Sequence, residues 1–102
     1  MDDLEITKLC AEAMGFEYHS AISEHASHLL LRATNGSYGK KYDPLHDDAQ
    51  AMALVKKFGL QIRLTNQSWH VWDADDSGCV LCKDLNRAIC ECVAKMQQAK
   101  KG

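Results

Sequence analysis

Residues 42–58, YDPLHDDAQAMALVKKF, constrain the fold more than any other stretch, because they read as a turn feeding a proline-started helix with a broad apolar surface. Asp43 is placed to cap exposed backbone N–H groups, and Pro44 suits the first helical position, where its missing N–H would have no partner. Asp47 and Asp48 follow with the charge that the positive end of a helix favours, Lys56 and Lys57 carry the opposite sign near the other end, and Gly59 is a natural stop. Leu45, Ala49 and Met52 share one side; Ala51, Leu54, Val55 and Phe58 fill the adjoining one. Only a narrow strip, His46, Gln50 and Lys57, is clearly polar. Such a helix is expected to be covered on more than one side, with Met52 and Phe58 packed in the core.

The chain has 102 residues, a single-domain length that buries roughly two-thirds of its unfolded surface. A net charge of −2 leaves no basic footprint for nucleic acid, and the pairs Lys40-Lys41, Lys56-Lys57 and Lys100-Lys101 read as solvated surface. The acidic start, MDDLEITK, does not resemble a signal peptide, and no apolar run approaches membrane-spanning length. Five cysteines, an odd number without an export signal, fit reduced thiols in a cytoplasm better than a disulfide framework.

Periodicity supplies the remaining elements. Residues 3–14 form a helix with Ile6, Leu9, Cys10, Ala13 and Met14 on one face, ended by Gly15. A strand is expected to begin at 16–18, another at 25–33 through Leu29, Leu30 and Leu31, and 34–41 (TNGSYGKK) reads as a loop. Leu60, Ile62 and Leu64 alternate with polar residues, Asn66-Gln67 makes a turn, and Trp69 to Trp72 forms the return strand. The two tryptophans then point to opposite faces, which suggests a sheet covered on both sides. The last helix spans about 83–98, with Leu85, Ala88, Ile89, Cys92, Val93 and Met96 inward. Cys90, two positions from Cys92 and thus about 200° around the axis, falls on the polar side.

Three motifs in order, AEAMGFEY, YDPLHDDAQAMALVKKF and LNRAICECV, resemble the phage ABA sandwich family of small phage and prophage proteins. The resemblance implies an α/β (α+β) protein. The expected architecture is a small three-layer α/β/α sandwich with a mostly antiparallel sheet, in the order α-β-β-α-β-β-α, with 1–102 as one domain. It also implies the cytoplasm of a phage-infected bacterial host. The family has no settled activity, so it carries over no catalytic residues, and its pattern does not require the acidic loop before the last helix. The function expected on this basis is that of a phage-encoded accessory protein that acts by binding and not by catalysis. Its partner would be a host or phage protein, such as a defence component, or a small nucleotide-like signal molecule. Neither nucleic acid nor membrane is expected as a partner. A homodimer stays open, since a small sheet leaves edges that need cover.

Two constellations offer other chemistry. Residues 73–84, DADDSGCVLCKD, follow a calcium-loop spacing: Asp73, Asp75 and Ser77 at the first, third and fifth positions, Gly78 at the sixth and Asp84 at the twelfth. Against a Ca2+ site, the twelfth position is usually glutamate and the incoming segment alternates like a strand. An acidic turn explains the same residues. Cys79 and Cys82 have knuckle spacing for Zn2+, but Cys90 and Cys92 diverge on their helix and do not complete the set. A redox or hydrolytic thiol at Cys79 or Cys82 is a third option, weakened because the pair does not open a helix. No cofactor is therefore expected. The five histidines show no metal-binding spacing, and Gly36 and Gly39 match no phosphate loop.

Overall fold

The computed structural model describes residues 2–20, 28–32, 38–73 and 79–101, with the backbone alone described at 19, 20, 38, 79 and 101. The elements run α1 (Asp3–Met14), β1 (Tyr18–Ser20), β2 (Leu29–Arg32), β3 (Tyr38–Tyr42), α2 (Asp48–Phe58), β4 (Gln61–Thr65), β5 (Ser68–Trp72), β6 (Cys79–Cys82) and α3 (Leu85–Lys101). The protein is thus α+β, with helices separating two antiparallel meanders, β1-β2-β3 and β4-β5-β6. Each helix before α3 is followed by one three-stranded meander, where the sequence suggested two strands apiece.

The helix boundaries follow from local chemistry. Asp2 caps α1 by accepting from the Glu5 N–H at 2.8 Å. Gly15, at φ 78°, closes it, its N–H reaching Glu12 O at 3.0 Å while Phe16 N–H reaches Ala11 O at 3.0 Å. This is a Schellman end, which needs a left-handed residue that glycine adopts without a Cβ clash. Gly59, at φ 62°, ends α2 in the same manner.

Several expectations are corrected. Asp43-Pro44 does not open α2. The Asp43 carbonyl instead accepts from His46 N–H (3.0 Å) and Asp47 N–H (2.9 Å), closing a separate turn, and Asp47 becomes the cap by accepting from Gln50 N–H at 3.0 Å. Met52, expected in the core, is 40% exposed, because α2 turns Ala51 and Leu54 inward. Residues 38–41, read as loop, belong to β3, where pairing of Leu30 with Lys41 and Leu31 with Lys40 imposes extension on a segment poor in β-formers. Residues 79–82 likewise add a strand, paired with β5 through Val71–Val80 and Trp69–Cys82.

The core centres on α3. Ala88, Ile89, Cys90, Cys92, Val93 and Ala94 are all buried, an arc far wider than one helical face. Cys90 is therefore interior and not on a polar side. α1 covers it, and the Cys10 thiol donates to the Cys90 carbonyl at 3.4 Å. α2 and the β5–β6 face meet α3 on its remaining buried sides. On the second sheet, Ile62, Val71 and Val80 line up in register on the face that joins the core. Trp72 lies on the opposite face, as the alternation required, but that face carries exposed Arg63 and Leu81, the latter 60% exposed, so it is not covered as expected.

The β4–β5 hairpin turns on Asn66 and Gln67 at φ 52° and 65°. Both central positions are left-handed, which asparagine tolerates and glutamine does not favour. Gln67→Gly should raise stability by about 0.5–1 kcal/mol, read as an increased midpoint in chemical denaturation; an unchanged or lowered midpoint would count against this turn geometry.

Candidate functional site

One face of the first sheet builds the site. Register places Tyr18 beside Leu31, Leu31 beside Lys40, and Leu29 beside Tyr42, so these side chains share a face. Leu29, Leu31 and Tyr42 are buried there. The Schellman end of α1 then delivers Phe16 onto Tyr42, with ring centroids 5.5 Å apart and planes at 80°. This edge-to-face contact suits the charge distribution of two aromatic rings. Phe16 keeps 37% of its surface exposed.

Between the end of α1, strands β2–β3 and the first turns of α2 lies a cavity of about 360 Å³. Its walls are largely apolar: Met14, Phe16, Leu31, Tyr42, Ala49 and Ala53. Ala49 and Ala53, four apart on α2, face it as small residues and so leave the space open. Lys40, Asp47 and Gln50 supply its polar groups. Lys57 Nζ, from the far end of α2, donates to the Met14 carbonyl at 3.2 Å and ties α1 to α2.

The α2 side is held by a hydrogen-bonded turn. Gln50 Oε1 accepts from Asp43 N–H at 2.6 Å, and Gln50 Nε2 donates to the Lys41 carbonyl at 2.9 Å. His46 Nδ1 lies 3.0 Å from both carboxylate oxygens of Asp43. A carboxylate can only accept, so this nitrogen carries the proton. The His46 side chain is 65% exposed and that of Asp43 only 11%. The pair fixes the turn that carries Asp47 and Gln50 to the cavity.

Behind the cavity wall, the Tyr42 hydroxyl is buried and meets no hydrogen-bond partner among the described residues. Burial, reinforced by the neighbouring Cys10 and Cys90 thiols, pushes its pKa well above the usual range. The Cys90 thiol is also pushed up, first by its hydrogen bond with Cys10 and then by burial, so it stays protonated and unreactive.

Two further cavities flank the helices. One of about 640 Å³ beside α1 is lined by Leu4, Leu9 and Tyr18 together with Asp2, Glu5, Lys8 and Glu12, three carboxylates to one ammonium. The Tyr18 hydroxyl donates to Glu12 at 3.2 Å, and burial followed by the Glu12 charge raises its pKa. The other, about 330 Å³, sits where α2 and α3 begin, with Asn86 donating to Asp48 at 2.7 Å.

Of the residues singled out for metal binding, Asp84 lines the 330 Å³ cavity where α2 and α3 begin. Asp73 is buried at the end of β5, and Asp84 caps α3 by accepting from Asn86 N–H at 3.1 Å. Asp75 and Ser77 lie outside the described residues. The segment is entered by β5, contains β6 and is followed by α3, so a strand stands where an EF-hand has its incoming helix. Cys79 and Cys82 fall on β6, whose extended backbone does not make the turn of a knuckle. Among the described residues no three His, Cys, Asp or Glu side chains come together as a metal set.

The sequence pointed to none of Phe16, Lys40 and Tyr42 as a group. A signal was present in YGKKY, where Tyr38, Lys40 and Tyr42 recur at the two-residue period of a strand. Comparison with protein-family models, with curated proteins and with solved structures finds no match for this chain.

The unpartnered hydroxyl has a measurable consequence. Tyr42→Phe removes it without loss of the ring and should stabilise the protein by about 1 kcal/mol at neutral pH. Because the folded pKa of Tyr42 is raised above the ordinary 10.0, its ionisation leaves stability unchanged below pH 10 and lowers it as pH rises beyond. Alkaline unfolding followed by circular dichroism should therefore begin at higher pH in the variant; an earlier onset would contradict the buried, unpaired placement.

Proposed function

We propose that this is a small accessory protein that acts by binding, encoded by a phage and working in the cytoplasm of the infected host. The phage context rests on the family resemblance in the sequence. The observation that carries binding is the open cavity between α1, β3 and α2, with an exposed aromatic edge and few polar groups. Ligand sites in proteins are commonly concave and apolar, with a small number of placed polar side chains. Of the partner kinds considered, this geometry favours a small molecule, held and thereby withdrawn from solution. The support on the membrane side is coarser: no helix of the described residues is long and apolar enough to cross a bilayer.

A second reading draws on the larger cavity beside α1. Its excess of carboxylates beside Leu4 and Leu9 suits a basic segment of a host or phage protein.

The small-ligand reading is tested by titrating isotope-labelled protein with indole, a neutral planar ring. The expected result is saturable movement of the amide resonances of Phe16, Leu31 and Ala53, abolished in Phe16→Ala and in Ala53→Leu, which fills the space. Absence of any saturable shift at these positions would overturn it.

A further inference from the structure

Resting on the reading of this cavity as a ligand site, we propose that it selects a planar aromatic ring that carries one negatively charged group, ring inside and charge at the mouth. About 360 Å³ is near the lower end for ligand pockets, and the walls at Met14, Phe16, Leu31, Ala49 and Ala53 offer no charge. Phe16, standing edge-on to Tyr42 and partly exposed, presents an aromatic surface against which a flat ring can pack.

The sign of the charge follows from which polar groups are already engaged. Gln50 has both ends of its amide committed, Oε1 to Asp43 N–H and Nε2 to the Lys41 carbonyl. The Asp47 carboxylate accepts from Gln50 N–H at 3.0 Å and sits over the first turn of α2, whose positive end offsets it. Lys40 is the third polar residue. It occurs on the inward-facing register of β3, opposite Leu31 and two residues from Tyr42, and it makes no ion pair among the described residues. An exposed ammonium at the rim of an apolar slot, with the Asp47 charge drawn to the helix end, complements an anion. The ligand class is therefore an aryl carboxylate or an aromatic base bearing phosphate, which share a ring and an anion.

The experiment compares three probes with one ring and three charges, using the intact chain: indole-3-acetate, indole and tryptamine, each titrated while the Phe16, Leu31 and Ala53 amides are followed. Cytidine monophosphate is added as a fourth arm to separate phosphate-bearing from carboxylate-bearing ligands. The acid should bind about threefold to fivefold more tightly than indole, the scale of one exposed ion pair, and tryptamine more weakly than indole. High salt should erase the difference. Lys40→Gln should likewise bring the ratio of acid to indole affinity to about one, a ratio that a merely structural loss would leave in place. Binding of the phosphate probe as well would extend the site to nucleotides; binding of the acid alone would restrict it to carboxylates, and either supports the selection of an anion. Equal or tighter binding of tryptamine, with indole still bound, would overturn the charge assignment and leave the cavity as a neutral site. Failure of all four probes would instead remove the ligand site itself.

Discussion

The packing of α3 is the constraint on which the rest of the molecule depends. Over Ala88–Ala94 only Glu91 retains substantial exposure, so this helix meets protein around most of its circumference. Small side chains make that possible. Ala88, Cys90, Cys92 and Ala94 let α1, α2 and the β5–β6 face approach closely, while Ile89 and Val93 fill the space between them. Polar contacts then set the angles. Arg87 reaches Asp3 on α1 at 2.7 Å and Glu91 at 3.3 Å, and Asn86 reaches Asp48 on α2 at 2.7 Å. Exposed pairs of this kind contribute about 0.2–1 kcal/mol each, so burial supplies the stability and the pairs supply orientation.

With α1 and α2 both docked on α3, the seam between their outer ends is fixed. The end of α1 comes down beside β3, the start of α2 follows β3 through the Asp43–His46 turn, and the gap between them is the cavity. Its shape is thus a by-product of the core. The two alanines on α2 and the Schellman end that aims Phe16 determine how wide it is. Lys40 at the cavity edge comes from a strand whose position is set by pairing with Leu30 and Leu31.

The parts of this fold legible in the sequence were those decided by local chemistry. α1 ran from its first acidic turn to Gly15 as periodicity required, and the Asn66-Gln67 turn lay where alternation broke. What stayed hidden was decided by distant contacts. The sequence pointed to Asp43 as the cap, but the Asp43 carbonyl closes a separate turn with His46 and Asp47 N–H, and Asp47 caps α2 by accepting from Gln50 N–H. Cys90 looked polar-facing because it lies about 200° around the helix from the inward Cys92, yet α1 covers it from eighty residues away. β3 carries Gly39, Lys40 and Lys41 and β6 is only four residues long, and both are held extended by pairing with β2 and β5. The site was missed for the same reason, since Lys40 acquires its place only once β3 exists. In the 73–84 segment the spacing and the incoming strand were visible, while β6 within it was not.

Native-state hydrogen exchange tests the central role of α3 most directly. The account predicts that the amides of Ala88–Ala94 exchange only through global unfolding, with a free energy of opening that equals the stability measured by denaturation and exceeds that of α2 and β4. If those amides opened at lower free energy than α2 or β4, α3 would not be the element on which the fold is assembled.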